Sequence, residues 1–105
     1  MKDEKTIDHQ IRRCYLEIVI LQILFDDVNA IESTLAQFIQ DSPTAFSQEE
    51  YPIAQNLYKA VQNQDYEEIT KICRQPIFSF LETEIVKMLK RYAANPPQQT
   101  VQRSL

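Results

Sequence analysis

The stretch IDHQIRRCYLEIVILQILFDDVNAI, residues 7–31, decides the fold class. Ile7, Ile11, Cys14, Ile18, Leu21 and Phe25 follow one another at spacings of 4, 3, 4, 3 and 4, which puts them on one side of an α-helix. A second apolar set, Leu16, Val19, Ile20, Ile23 and Leu24, joins them beyond Cys14. A helix apolar around most of its circumference needs cover on more than one side. The spacing therefore predicts a helix from about Thr6 to Leu24 that is either central or covered by a second copy or by upstream repeats. At Phe25-Asp26-Asp27 the pattern breaks, and Asp26 or Asp27 can cap the next helix by accepting a bond from its first free N–H groups.

Downstream, Val28, Ile31, Leu35 and Phe38 predict a second helix from about Val28 to Gln40. Asp41-Ser42-Pro43-Thr44 reads as a loop. Ser47-Gln48-Glu49-Glu50 has the form of a capping box, yet Pro52 would lie inside a helix begun there. The third helix is expected to have an irregular first turn or to start close to Pro52, with Ile53, Leu57 and Val61 on its inner face to about Asn63. Asp65, with Glu68 three residues on, should cap a fourth helix whose stripe is Tyr66, Ile69 and Cys73, ended by Pro76. A fifth is predicted over Ile77–Tyr92 on Ile77, Leu81, Ile85, Met88 and Tyr92, closing over the third and fourth. Residues 1–92 form the helical domain on this reading, and 93–105, with Pro96-Pro97, a disordered tail.

A shift of 38 residues lays Tyr15, Leu16, Val19, Ile20 and Ile23 on Ile53, Ala54, Leu57, Tyr58 and Val61, and Asp27 to Ile31 on Asp65 to Ile69. Two helical hairpins that turn at matching corners fit the end of a tetratricopeptide-like α-solenoid, in which each unit buries its face on the next. The fold class expected is all-α, with five antiparallel helices.

Composition narrows the function. The chain has 105 residues and no glycine, which excludes phosphate-cradling GxGxxG and GxxxxGK loops and disfavours tight β-hairpins. A net charge of −4 is the wrong sign for a nucleic-acid binder. The charge is uneven: six acids and no base lie between Asp26 and Glu50, four bases and no acid from Lys87 onward. Cys14 and Cys73 make neither a CxxC motif nor a disulfide framework; each falls on an apolar stripe, and two core thiols imply a reducing, cytoplasmic setting. The longest apolar run, Cys14 to Phe25, is interrupted by Glu17 and Gln22 and is too short to cross a bilayer.

Catalytic residues are not expected. His9 is the single histidine and sits in a polar turn. The acid pairs Asp26-Asp27, Glu49-Glu50 and Glu67-Glu68 are adjacent in sequence, and adjacent helical side chains diverge by about 100°. No spacing suits zinc or calcium, so neither metal nor cofactor is expected. What remains is a protein that holds other proteins, with no small-molecule substrate. Its candidate partner-binding residues are Glu67, Glu68, Glu82 and Glu84, together with the basic run Lys87, Lys90 and Arg91.

Four motifs carry a resemblance. They are Phe25-Asp26-Asp27-Val28-x-Ala30, Ser42-Pro43-Thr44-Ala45-Phe46-Ser47, Asn63-Gln64-Asp65-Tyr66 and Ile72-Cys73-x-x-Pro76-Ile77-Phe78-x-Phe80-Leu81. From about Leu16 to Tyr92 the chain resembles the C-terminal part of the soluble NSF attachment proteins, the SNAP family, and their gamma form more than their alpha form. The resemblance implies a non-catalytic adaptor of vesicle fusion that links the SNARE bundle to the ATPase NSF, close to membranes. The alternative is a helical-repeat scaffold subunit of another assembly without an ATPase partner.

Overall fold

The structure is a computed structural model that describes residues 2–95, with side chains from Ile7 to Asn95. Five α-helices succeed one another: α1 Lys2–Leu24, α2 Ile31–Asp41, α3 Glu50–Gln62, α4 Tyr66–Cys73 and α5 Thr83–Ala94. Short 3₁₀ turns at Val28–Ala30, Ala45–Ser47 and Pro76–Phe80 join them, and there is no strand among the described residues.

The two hairpin corners are built alike. After α1, Phe25 N–H bonds Leu21 C=O, Asp26 N–H bonds Ile23 C=O and Asp27 N–H bonds Gln22 C=O. After α3, Asn63, Gln64 and Asp65 N–H groups bond Lys59, Val61 and Ala60 carbonyls in the same order. Every partner is displaced by the 38-residue shift. Both corners are Schellman caps, whose C′ residue must take the left-handed conformation that glycine usually supplies. Here Asp26, at φ 60°, and Gln64, at φ 55°, occupy it. The repeat is thus a repeat of backbone hydrogen bonds as well as of apolar positions.

Helix α1 is the centre. α2, α3 and α5 pack against it, α4 packs on α3, and α5 on α4. Its buried apolar residues are Leu16, Val19, Ile20 and Ile23, which join Ile31, Leu35 and Phe38 of α2, Ala54 and Leu57 of α3, and Leu89 of α5 in one core. The 4-3-4-3-4 stripe is the outer face: Ile7 is 53%, Ile18 40% and Phe25 74% exposed, and Cys14 is exposed too. Of the two expected core cysteines only Cys73 is buried. The corner at Asp26 turns α2 back along the Leu16–Ile20–Ile23 side, and α3 lies against the same side, so the second apolar set becomes the core.

Helix ends differ from expectation where tertiary contacts take over. α3 begins at Glu50, two residues ahead of Pro52. The first four N–H groups of a helix have no intrahelical acceptor, so a proline there removes no ladder bond. Ser47 does not cap α3; its Oγ donates to Thr44 C=O, and Gln48 is extended. Neither Asp26 nor Asp27 caps the 3₁₀ turn at Val28 by a side-chain bond, the first being needed at positive φ. Asp65 does cap α4, its carboxylate accepting the Glu68 N–H at 3.2 Å.

The fifth helix does not start at Ile77. Pro76–Phe80 is a 3₁₀ turn that buries Ile77 and Phe78, Leu81 is extended and buried, and α5 starts at Thr83. Two contacts from α1 anchor this break. The Glu17 carboxylate accepts the Glu82 N–H at 2.8 Å, and the Arg13 guanidinium lies over the Phe80 ring at 5.1 Å. Breaking the helix resets its phase, so Val86, Leu89 and Ala93 face inward while Met88 is 39% exposed. The main neighbours of α5 are α4 and α1, not α3. α5 runs to Ala94, and the tail expected beyond it lies, from residue 96, outside the described residues.

Candidate functional site

The most concentrated polar chemistry lies where the start of α1 meets the α2–α3 loop. Arg12, buried, donates from Nε to Glu50 Oε1 at 2.9 Å and from Nη1 to Asp8 Oδ2 and Thr44 Oγ1, both at 2.7 Å. Its Nη2 lies 3.1 Å from His9 Nδ1. Ser42 Oγ donates to Asp8 Oδ1 at 2.6 Å, and the Thr44 hydroxyl also bonds Asp8. Asp8, Arg12, Ser42 and Glu50 are the buried polar residues of the described chain.

Burial pushes the Asp8 carboxyl up, but the Ser42 and Thr44 hydroxyls and the Arg12 charge outweigh it and hold the group below its usual value. Every group in the cluster is engaged within the fold, so its task is to tie α1, the loop and α3 together. The sequence carried a signal for it. Asp8 and Arg12 continue the Leu16–Ile20 line backward at spacings of four, and Arg12 shifted by 38 falls on Glu50.

The candidate partner-binding residues are spread over α4 and α5. Glu67 and Glu68 occupy the first turn of α4. Tyr66, beside them, packs edge-on against Tyr92 at 5.8 Å between ring centres, so this acidic pair lies at the C-terminal end of α5. Glu82 and Glu84 flank the opposite end, where Glu84 approaches Lys87 at 4.0 Å, both side chains exposed. Lys87, Lys90 and Arg91 are exposed along α5. The seven residues therefore form two acidic ends with a basic side between them.

Two tyrosines mark how these surfaces are held. Tyr92 is pushed up to about 12, by burial first and then by Tyr66 and the nearby Asp26. Tyr15, stacked on Phe38 at 5.0 Å, is pushed up to about 12, chiefly because its hydroxyl donates to Asp41, with burial adding to it. A third surface, a groove of about 380 Å³ between α2 and α3, is lined by Glu32, Leu35, Ile39, Tyr51, Tyr58 and Lys59 among others. Tyr58 donates to Glu32 across it at 3.2 Å. The Cys73 thiol is pushed up by burial, against the pull of Lys90.

Among the described residues no helix is long and apolar enough to cross a membrane. Comparison with known proteins gives a curated relative, the gamma-soluble NSF attachment protein of Dictyostelium discoideum, 29% identical over 83 residues. The match takes in 79% of this chain and 25% of that protein, so the chain spans about a quarter of the relative's length. No solved structure matches. The soluble NSF attachment protein family matches residues 1–89. With its paired helical corners and its α1-centred core inside that match, the chain belongs to the SNAP family.

Proposed function

We propose that the chain is a non-catalytic SNAP-like adaptor that joins a SNARE bundle to the ATPase NSF through its helical surfaces, in the cytoplasm and at the membrane periphery. The observation that carries this reading is the family match over residues 1–89, which takes in every corner and core position of α1 to α4. Glu67, Glu68, Glu82, Glu84, Lys87, Lys90 and Arg91 are the residues through which partners would be held. Two acidic ends suit a basic partner domain, since charge complementarity speeds and orients docking.

A second reading rests on the exposed bases Lys87, Lys90 and Arg91, which carry the opposite sign for such a partner. On that reading the chain is a scaffold subunit of another helical assembly without an ATPase. A pull-down with NSF, with and without assembled SNAREs, separates them. The adaptor reading expects NSF retained only when SNAREs are present, with retention weakened in the Glu67→Lys/Glu68→Lys and Glu82→Lys/Glu84→Lys variants. SNARE-independent indifference to NSF in a folded chain overturns it and favours the scaffold.

A further inference from the structure

Two serines of the chain have an acid three residues on, in Ser47-Gln48-Glu49-Glu50 and Ser79-Phe80-Leu81-Glu82, and no threonine does. Acid-directed protein kinases read this charge pattern, because a basic subsite of the kinase receives the carboxylate that follows the accepting hydroxyl. By sequence Ser47 is the better match, with acids at both the second and third positions after it. A capping role does not explain that motif, since Ser47 makes no cap bond to α3.

The fold poses the two hydroxyls alike. Each serine is exposed in a 3₁₀ turn ahead of a helix, Ser47 before α3 and Ser79 before α5. Each Oγ donates to the carbonyl three residues back, Ser47 to Thr44 at 3.2 Å and Ser79 to Pro76 at 2.8 Å. The acids differ. Glu50 is 2% exposed, and Arg12 Nε holds its carboxylate at 2.9 Å inside the buried cluster. A kinase would have to break that cluster to engage it. Glu82 and Glu84 are both exposed, the Glu84 side chain to 74%. Glu82 meets Glu17 through its backbone N–H, which leaves its carboxylate to solvent, and no α-helical residue separates it from Ser79.

We propose that Ser79 is a phosphorylation site for an acid-directed protein kinase and that burial of Glu50 spares Ser47. The inference stands apart from the adaptor reading. Ser79 Oγ attacks the γ-phosphorus of ATP. The Oγ–P bond forms as the bond from that phosphorus to the ADP oxygen breaks, and the hydroxyl proton passes to the kinase's catalytic carboxylate. The product gives up the bond to Pro76 and adds about two negative charges beside Glu82 and Glu84. A cation stands close by. The Arg13 guanidinium lies over the ring of Phe80, the next residue, and its Nε has no hydrogen-bond partner among the described residues.

Incubation of the folded full chain with casein kinase II, ATP and magnesium, followed by peptide mass mapping, tests it. Phosphate on Ser79 is expected, absent in Ser79→Ala and unaffected by Ser47→Ala. Glu82→Gln with Glu84→Gln should slow labelling roughly tenfold, the scale of one lost charge-assisted contact. Far-UV circular dichroism checks that these surface variants stay folded. A synthetic peptide of residues 40–55, in which nothing buries Glu50, serves as the unfolded control and should be labelled at Ser47. A folded chain left unlabelled, one labelled at Ser47 as fast as at Ser79, or Ser79 labelling indifferent to the two glutamates overturns the inference. So does a peptide not labelled at Ser47, since burial of Glu50 would then not be what spares that serine.

Discussion

The Arg12 guanidinium and the Glu50 carboxylate meet at 2.9 Å across the α1–α3 contact, and they stand 38 residues apart, the repeat length itself. At this layer equivalent positions of two successive repeats meet. The positions that follow, Leu16 and Val19 on α1 and Ala54 and Leu57 on α3, are all fully buried in one core. The polar pair occupies one layer of an otherwise apolar interface.

Removing one partner of that layer should be costly, because the other charge stays buried. Glu50→Ala leaves the Arg12 Nε without its acceptor and Asp8 as the one carboxylate beside the guanidinium, and is expected to lower stability by about 3 kcal/mol. Replacing all three charges, as Arg12→Met with Glu50→Leu and Asp8→Asn, should recover much of the loss, since no buried charge is then left without its partner. Urea unfolding of the two variants measures the difference.

The Asp8 carboxyl titrates below its ordinary value of 3.8 in the folded chain. A depressed carboxylate binds its proton more readily when unfolded, so it stabilises the fold at any pH above the unfolded value. That contribution is lost as pH falls through the lower, folded value. Stability measured by chemical denaturation should be level through the neutral range and drop below about pH 4, with a shallower drop in Asp8→Asn.

Asp26 and Gln64 hold left-handed backbone without glycine. The left-handed conformation costs an ordinary L-residue roughly 1–2 kcal/mol. Asp26→Gly and Gln64→Gly should therefore each raise the melting temperature. The gain should be larger at Gln64, because a short Asp side chain tolerates this region better than Gln. Calorimetry of the two single variants decides the order.

The Asp65 side chain caps α4 while Asp27, its counterpart in the first hairpin, makes no such bond. Asp65→Ala should cost about 1 kcal/mol, the usual scale for a lost N-cap. Asp27→Ala should cost markedly less. Equal losses would show that the two aspartates act through charge at the helix start rather than through the cap bond.

Much of this was legible before the chain was folded. Helix number and type come from apolar spacing, and the match of Asp27–Ile31 with Asp65–Ile69 located both corners, because a turn between packed helices must stop one ladder and cap the next. Asp65 as cap could be read from its place three residues before Glu68. The repeat also held the clue to Arg12 and Glu50, two charged residues in register with buried positions.

Periodicity alone could not rank the two apolar sides of α1. It reports that Ile7, Ile11, Cys14 and Ile18 share a face, and that Leu16, Val19, Ile20 and Ile23 share another; which of them is core depends on where α2, α3 and α5 land. The start of α5 was decided in the same way. Ile77 to Leu81 could continue a helix by local preference. The bond from Glu82 to Glu17 and the seat of Phe80 under Arg13 hold it as a turn, because contacts 65 and 67 residues apart in sequence outweigh a local propensity of a few tenths of a kcal/mol per residue.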